Sequence, residues 1–436
     1  MRSSPENRPF RVLVDLTRQV DLTLLVEQLR KEGRDKLTRR RTVIESLESV
    51  AADQQRTLQP FLDELIERGV IDYVRPVAIV NRLIVEGSAA GILELSRHPA
   101  VASVLPDWSS EKRLFRENGR VEGGSPLLGE SFTSWGVEAI GAPALWRQGL
   151  KGKGVVVAAI DTGVFGDHEQ LRGRMLPDGR GWLDPVEGRQ DPYDNHGHGT
   201  SVLSLAVGAN TAGKTIGVAP EAEWAVALGN WNNFYSRSRM TRAADWVLRT
   251  VRPDVVINAW SDSHGECNSF DLPFINAWKA AGMFVVFPAG NAGPSPGSDE
   301  SPANLAGTVP HGGPVFSTGG LDRSENGVQV FTHSSRGPNS CGGQPFPTLS
   351  APGADLPFAY PPTADHYGTG NGTSLAAGLV GGAAALLIEA DPDLTPEELE
   401  EILIRTARDL PPAGRDPDTG AGILDLAAAL DAVRSR

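Results

Sequence analysis

The sequence has few cysteines, no long apolar run and less positive than negative charge. Its 41 Lys and Arg against 54 Asp and Glu give a formal net charge of -13. Such a surface repels nucleic acid and anionic membranes, so neither is expected as a partner. No run of 18 or more apolar residues is present, so no membrane insertion is predicted.

The N-terminal residues and the two cysteines each allow two interpretations. The first eight residues lack the apolar core of a signal peptide, so either the chain stays inside the cell or a signal has been removed. The two cysteines, Cys267 and Cys341, are either unrelated thiols or one disulfide that closes a long loop, because two cysteines permit a bridge without demanding it. Glycine and proline, by contrast, are abundant, at 49 and 32 residues, as in an α/β protein with many loops.

Composition changes along the chain predict three segments. Residues 8–108 combine strand-like alternation over Phe10–Leu16 with helical spacing over Asp21–Glu32, which indicates a small α+β domain. Residues 109–130 are polar and predict an exposed linker that is open to proteolysis. Residues 131–436 alternate short apolar runs with helical segments, which predicts an α/β domain with a central parallel sheet.

Within the first segment the pattern predicts several elements. A long helix is expected over residues 36–68, divided or kinked at Pro60 because proline removes a helical hydrogen bond. Strands are predicted over 74–85 and 100–105, with a short helix over 88–96 between them. Seven of the twelve residues in Arg30–Arg41 are basic. In so acidic a chain we interpret this run as a solvated helix face or a protease-sensitive loop rather than a nucleic-acid patch.

In the last segment, polar residues directly follow two of the predicted strands. Asp161 comes after an apolar run, and Asn291 comes after another. Active sites of parallel sheets lie at the carboxyl ends of strands, so both residues are expected on that edge. The predicted strands are Val155–Ile160, Trp224–Leu228, Val255–Ala259, Phe284–Pro288 and Val315–Thr318.

Three motifs stand in the order Asp, His, Ser. They are Asp161-Thr162-Gly163, His196-Gly197-His198-Gly199-Thr200 and Gly372-Thr373-Ser374. An acid, a base and a hydroxyl nucleophile are the parts of an acyl-transfer triad, and this is one of the few chain orders known for it. Ser374 opens a run of small apolar residues that predicts a buried helix, whose N-terminus favours developing negative charge. The alternative is an N-cap serine.

Two competing chemistries are weaker. An aspartic protease needs two matched Asp-Thr-Gly copies, but the second copy, at Asp418, follows a turn instead of an apolar strand. A zinc site at His196 and His198 lacks a third ligand at suitable spacing. Asn291 adds to the triad interpretation because its side chain can donate to an oxyanion together with the Ser374 backbone N–H. The alternative there is a turn asparagine.

Together these motifs resemble the subtilisin-like serine peptidases, the subtilases of peptidase family S8, over nearly all of residues 135–430. Within them the chain looks most like the bacillopeptidase F group. The resemblance implies a subtilisin-like three-layer domain with a central parallel sheet at 131–436. It also implies a ferredoxin-like inhibitory prodomain at 8–108 that is cut off in the linker. Supporting segments are Ile216-Gly217-Val218-Ala219-Pro220, Ser334-Ser335-Arg336-Gly337-Pro338 and Leu349-Ser350-Ala351-Pro352-Gly353.

The resemblance also implies a role for each site residue. Ser374 would attack the peptide carbonyl, His198 would carry its proton, Asp161 would orient His198, and Asn291 would bind the oxyanion. Catalysis would need no cofactor, the substrates would be proteins or peptides, and the prodomain would inhibit its own chain, which is expected to be a monomer. The family suggests secretion, with the cytoplasm as the alternative because no signal peptide is present.

The chain departs from the family in its pocket. The implied substrate-binding residues are Ala259, Trp260, Ser261, Ala289 and Gly290. Ser261 stands where the family usually has glycine and is expected to narrow or reshape the pocket wall. The neighbouring Asp262 either favours a basic side chain at the cleavage site or points to solvent. These departures keep two alternatives open: a catalytically weak or inactive binding protein, and a maturation peptidase of narrow specificity.

Acidic residues crowd the loop before His198. They provide the oxygen ligands that calcium prefers, so a structural calcium site is one interpretation of this loop. A solvated acidic loop is the other. The four residues are Asp184, Glu187, Asp191 and Asp194.

Overall fold

Two sheets organise the chain. The computed structural model describes residues 9–107, 109–111, 131–231, 234–261, 263–305, 315–325, 327–342 and 345–436. A four-stranded antiparallel sheet lies near the N-terminus, and an eight-stranded, mostly parallel sheet lies in the rest of the described chain.

The N-terminal sheet has the strand order of a ferredoxin-like unit, second–third–first–fourth. Two helices join its first two strands and one joins its last two. Buried leucines and valines of the long second helix pack on the sheet. In chain order the elements are strand Phe10–Leu16, helices Leu22–Lys31 and Lys36–Glu67, strands Ile71–Val77 and Arg82–Gly87, helix Ala89–Leu95 and strand Val101–Pro106.

One prediction for this region was wrong, and another is contradicted in part. Pro60 does not divide the helix Lys36–Glu67, since the proline is exposed while the apolar face, with Leu58 and Leu62, continues on both sides of it; a kink at Pro60 stays a prediction. The predicted strand over 74–85 is a hairpin. Its turn is held by Asn81, which has a φ of 38° and donates its side-chain amide to the Arg18 carbonyl and to Gln54.

The large sheet confirms the predicted parallel strands. Its central strands, Phe284–Pro288, Val255–Ile257, Val156–Asp161 and Glu223–Leu228, pair in parallel in that order. Neighbouring residues of one strand, such as Val157 and Ala158, belong to apolar clusters on opposite faces of the sheet. Both faces are therefore covered, which gives the predicted three layers. The outer strands are Trp182–Leu183, Phe316–Ser324, Gly327–Val330 and Leu349–Pro352.

Helices cover the two faces of this sheet. One side carries His198–Val207, Thr373–Ala390, Pro396–Thr406 and Leu426–Arg434, and the other carries Arg237–Trp246, which continues as a π turn, and Leu272–Ala280. The remaining short elements are helices Trp135–Ala139 and Ala142–Trp146 and a 3-10 turn at Ser269–Asp271, with strands Ser109–Glu111, Phe132–Thr133, Lys214–Thr215, Asn230–Trp231, Phe234–Ser236, Ser263–His264, Glu300–Ser301, Leu356–Ala359 and Tyr367–Gly370.

The helix Thr373–Ala390 is unusually long and apolar. Its 18 residues and mean hydropathy of 1.6 would suffice to cross a membrane by length and composition, and among the described residues it is the one helix of that kind. However, 89% of it is buried inside the protein. It is the central helix of the α/β domain.

The basic run Arg30–Arg41 lies partly against the α/β domain, so its interpretation as a solvated face was wrong. Arg39 donates to the carbonyls of Ala280 and Lys279, at 2.8 and 3.1 Å, where the helix Leu272–Ala280 ends. Arg40 donates to the Ala281 carbonyl and pairs with Asp254. Cations at a helix C-terminus complement its dipole and its free carbonyls.

Candidate active site

Asp161 ends a central strand of the parallel sheet, as the sequence predicts. Its carboxylate is 1% exposed and lies 2.7 Å from Nδ1 of His198. The same oxygen accepts the backbone N–H of Thr162 at 2.7 Å. A buried carboxylate on Nδ1 fixes which ring nitrogen of the histidine carries the proton and so directs the other nitrogen outward.

Close backbone contact makes this pairing geometrically feasible. A Cβ atom at Gly199, the residue after the histidine, would lie 2.1 Å from the Gly163 carbonyl oxygen and 3.0 Å from the Asp161 Cβ. Any side chain there would push the helix off the strand end. Glycine at this position therefore lets the helix N-terminus approach the carboxylate.

Asp194 joins the strand end to the helix that carries His198. Its carboxylate accepts the Thr162 hydroxyl at 2.8 Å and the backbone N–H groups of His196, Gly197 and Thr200 at 2.7 to 3.0 Å. These N–H groups belong to the free donors at the start of the helix. Asp194 is thus a charged helix cap, a role that the sequence analysis missed.

The helices that begin at His198 and Thr373 pack side by side in register. A Cβ atom at Gly378 would lie 2.7 Å from the Val202 carbonyl oxygen, and one at Gly382 would lie 2.5 Å from that of Ala206. Both contacts pair residues four positions apart on each helix. One turn earlier, the same register places Ser374 opposite His198.

Ser374 is 4% exposed, and its hydroxyl donates to the Ala259 carbonyl at 3.1 Å. Asn291 lies close to it. The Asn291 Oδ1 accepts both the backbone N–H and the hydroxyl of Thr373, at 3.0 and 3.1 Å. A backbone N–H can only donate, so it must face the oxygen of the Asn291 amide, which leaves the NH₂ group as the donor side. The Asn291 amide and the Ser374 N–H flank Gly372, each 3.9 to 4.0 Å from its Cβ position.

The implied pocket residues form two segments beside the serine. Ala259-Trp260-Ser261 follows strand Val255–Ile257, and Ala289-Gly290 precedes Asn291. Ala259, Trp260 and Ala289 are buried. The effect of Ser261 on the pocket wall stays a prediction. The structure shows one contact of this residue, in which the Ser261 hydroxyl donates to the carboxylate of Glu300. Asp262 lies outside the described residues, so its predicted role stays a prediction.

The acidic loop before His198 uses the carboxylates of buried Asp184 and half-buried Asp194 for hydrogen bonds. Asp184 accepts the N–H groups of Val186, Glu187 and Arg189 and the hydroxyl of Tyr193. Burial disfavours the charged carboxylate, but these donors outweigh that effect and lower the pKa of Asp184. The loop therefore does not present the open oxygen cluster that calcium requires.

Across the whole described chain, no group of three or more His, Cys, Asp or Glu residues could hold a metal ion. Structural calcium at the acidic loop thus remains a prediction without support from its carboxylates.

The two cysteines form a disulfide, which resolves the alternative that the sequence left open. Cys267 and Cys341 are bridged, with their Cα atoms 5.4 Å apart and a sequence separation of 74. The bridge ties the loop after Ser261 to the segment around Ser340. Next to the bridge, Glu266 accepts hydrogen bonds from the side chains of Ser301 and Asn304 through its carbonyl oxygen.

Sequence reasoning missed Asp194 and Glu300 for different reasons. The signal for Asp194 was its position four residues before His198 in a turn, where a carboxylate can cap the coming helix. Glu300 lies nine residues after Asn291 in a loop rich in Gly, Pro and Ser. No periodicity or motif there indicates that it folds back onto the pocket.

The fold and the site define a class: an α/β protein with Asp, His and Ser at one edge of a parallel sheet. The chain matches the sequence profile of the subtilase family over residues 152–422. It is 30% identical over 431 residues to bacillopeptidase F of Bacillus subtilis (strain 168), covering 91% of this chain. Serine protease AprX of the same strain is 32% identical over 303 residues, covering 61% of this chain.

The comparison of structures gives the same fold. Fervidolysin from Fervidobacterium pennivorans, a keratinolytic enzyme related to subtilisin, matches with a TM-score of 0.66 and 19% identity, over 99% of this chain and 62% of fervidolysin. The chain belongs to the subtilase family. It spans 29% of the length of bacillopeptidase F and 64% of that of AprX.

Proposed function

We propose that this protein is a serine endopeptidase that hydrolyses peptide bonds through an acyl-enzyme. One observation carries the proposal: the buried carboxylate of Asp161 lies 2.7 Å from Nδ1 of His198, at the sheet edge that also holds Ser374. Family membership supports the same reaction. Asp161, His198 and Ser374 are the proposed catalytic residues.

The proposed reaction has two halves. His198 takes the proton of the Ser374 hydroxyl while its oxygen bonds to the peptide carbonyl carbon, and the resulting oxyanion accepts hydrogen bonds from the Asn291 side chain and the Ser374 N–H. Collapse breaks the C–N bond, and His198 gives the proton to the leaving amine. Water then attacks the acyl-enzyme with His198 again as base, which releases the acid and restores Ser374.

The proposed substrates are proteins or peptides, and the first of them is the protein's own N-terminal unit. Ser109–Glu111 pairs antiparallel with Phe234–Ser236 and thereby adds a third strand to the hairpin that Phe234–Ser236 forms with Asn230–Trp231, which is how an extended peptide adds to a sheet edge. Just before it, Asp107 accepts the Ser238 N–H at 2.9 Å at the start of the helix Arg237–Trp246. We infer that residues 8–108 form an inhibitory prodomain and that the processing region lies within 109–130.

A fluorophosphonate probe tests the activity directly. Wild-type protein should be labelled on Ser374, and the Ser374→Ala variant should not. Ser435→Ala, a change near the exposed C-terminus, serves as the matched control and should label like wild type. Absence of labelling in wild type, both before and after limited proteolysis of the linker, would favour the alternative of an inactive binding protein.

Intact mass tests the zymogen proposal separately. Wild type is expected to lose its N-terminal unit by self-cleavage, whereas Ser374→Ala should keep the full mass of 46.4 kDa. Added residues 1–111 should then inhibit the processed enzyme. A processed form that is not inhibited by this fragment would contradict the inhibitory role without affecting the proposed chemistry.

A further inference from the structure

Glu300 connects the two segments that flank the pocket. Its carboxylate accepts the Ser261 hydroxyl at the end of one segment. At the other segment, a Cβ atom on Gly290 would lie 2.5 Å from the Glu300 carboxyl carbon and from one of its oxygens. The Glu300 side chain therefore occupies the space that any larger residue at 290 would fill.

The same two segments begin at the reacting groups. Ala259 contacts the Ser374 hydroxyl through its carbonyl oxygen, and Gly290 immediately precedes the proposed oxyanion donor Asn291. A peptide whose carbonyl carbon is attacked by Ser374, with its oxygen at Asn291, must place the side chain of that residue between the segments. Glu300 lies where the segments meet, so it faces the end of this side chain.

The backbone that carries Glu300 is held from several sides. Glu300–Ser301 pairs antiparallel with Ser263–His264. The Ser301 hydroxyl donates to the Glu266 carbonyl at 2.6 Å, and Glu266 precedes the bridged Cys267. Asn304 donates its backbone N–H to the Glu300 carbonyl at 3.1 Å. A carboxylate on so constrained a backbone is preorganised for an incoming group.

We propose that Glu300 selects substrates with arginine or lysine at the residue whose carbonyl is attacked. The inference rests on the proposed function and names its substrate class. The half-buried carboxylate of Glu300 lies beside the buried residues Ala259, Trp260 and Ala289 and is partly shielded from water, so it attracts an opposite charge more strongly than in bulk water. A guanidinium can bond both carboxylate oxygens, and an ammonium pairs with one. A large apolar side chain would instead remove water from the carboxylate and offer it no hydrogen bond of its own.

Peptides that differ only at this residue provide the test. The processed enzyme is given fluorogenic substrates with arginine, lysine, glutamine, leucine or glutamate at that position. Wild type should cleave the arginine and lysine peptides with a kcat/KM at least about 100-fold above that for glutamine, the scale of a close buried charge pair. In Glu300→Gln this preference should fall to within a few-fold, while the leucine peptide is cleaved as well as before or better.

A second glutamate near Glu300 serves as the control for the loss of one negative charge in this region. Glu266 is exposed in the adjacent loop, so Glu266→Gln should keep the wild-type preference. Glu300→Lys should reverse the preference toward the glutamate peptide. Tripeptide aldehydes ending in arginine or leucine, competing with the fluorophosphonate probe, give the same ranking without requiring turnover.

The outcomes separate this inference from the proposed function. Hydrolysis or labelling without preference for arginine and lysine, or a preference that persists in Glu300→Gln, would overturn the role of Glu300 and leave the peptidase assignment standing. If Ser374 is never labelled and no peptide is cleaved, the proposed function fails and this inference fails with it.

Discussion

The tripeptide Asp-Thr-Gly occurs twice in this chain, and its two copies have different surroundings. Asp161 ends a central parallel strand, is 1% exposed and contacts His198. Asp418 lies in a turn, with 38% of its side chain exposed, and pairs with Arg336 at 3.4 Å. The tripeptide by itself therefore predicts neither burial nor chemistry, and the preceding apolar strand distinguishes the two.

The threonine and the glycine, in contrast, have similar roles in both copies. Thr162 donates its hydroxyl to Asp194, and Thr419 donates its hydroxyl to Asp416. Gly163 and Gly420 both have positive φ, at 115° and 67°. In each copy these two residues shape a turn. The main difference between the copies thus lies in the carboxylate, and the three paired positions give a matched set of variants.

The largest expected difference is between the two aspartates. Asp161→Asn should lower kcat by about 10,000-fold, the scale known for triad carboxylates in serine peptidases including subtilisin, because the amide favours the wrong histidine tautomer. Asp418→Asn should leave kcat within about two-fold, since exposed ion pairs contribute little. Steady-state hydrolysis of one good peptide measures both. Equal losses in the two variants would contradict the distinction.

Substitution of the glycines should affect stability in both copies. A Cβ atom would lie 2.0 Å from the Tyr193 carbonyl oxygen at Gly163 and 2.3 Å from that of Pro347 at Gly420. Each alanine variant should therefore lose at least about 1–3 kcal/mol of unfolding free energy, the cost of strained backbone alone. Urea denaturation measures this loss. Active-site titration should show that only Gly163→Ala also lowers turnover per folded molecule.

The threonines should give the smallest effect on unfolding free energy. Thr162→Val and Thr419→Val each remove a side-chain hydrogen bond, with an expected loss of about 1 kcal/mol in unfolding free energy. Only Thr162→Val should also reduce kcat, by a few-fold, because Thr162 accepts the Gly199 N–H at 3.0 Å as well and so helps to position the histidine helix. A reduction of kcat in Thr419→Val would contradict this prediction.

Much of the α/β domain could be predicted because its signals are local. Apolar runs mark the central strands, and Asp161 and Asn291 follow such runs directly, so their place on one sheet edge follows from parallel pairing. The hairpin near Asn81 was missed because the apolar residues Val77 to Val80 continue through its turn without glycine or proline. A turn that is held by distant partners leaves no local signal.

Contacts between distant segments account for the other errors. The basic residues of Arg30–Arg41 have the composition of a solvated face, but Lys36 and Arg40 share Asp254 as a partner, at 3.3 and 3.2 Å. Burial lowers the pKa of Lys36, although Asp254 opposes this effect. The pattern of charges along a segment does not predict which surface of the folded protein the segment contacts. The contact of Glu300 with Ser261 could not be predicted for the same reason.

The packing of the two central helices has a consequence for how this protein can vary. Gly378 and Gly382 meet the backbone of the histidine helix without any intervening side chain. The distance between His198 and Ser374 therefore depends on backbone contacts that lie one and two helical turns after these residues. A single added methyl group at 378 or 382 would move the base relative to the nucleophile and leave all proposed catalytic residues unchanged. A screen of the motifs alone would score such a chain as active.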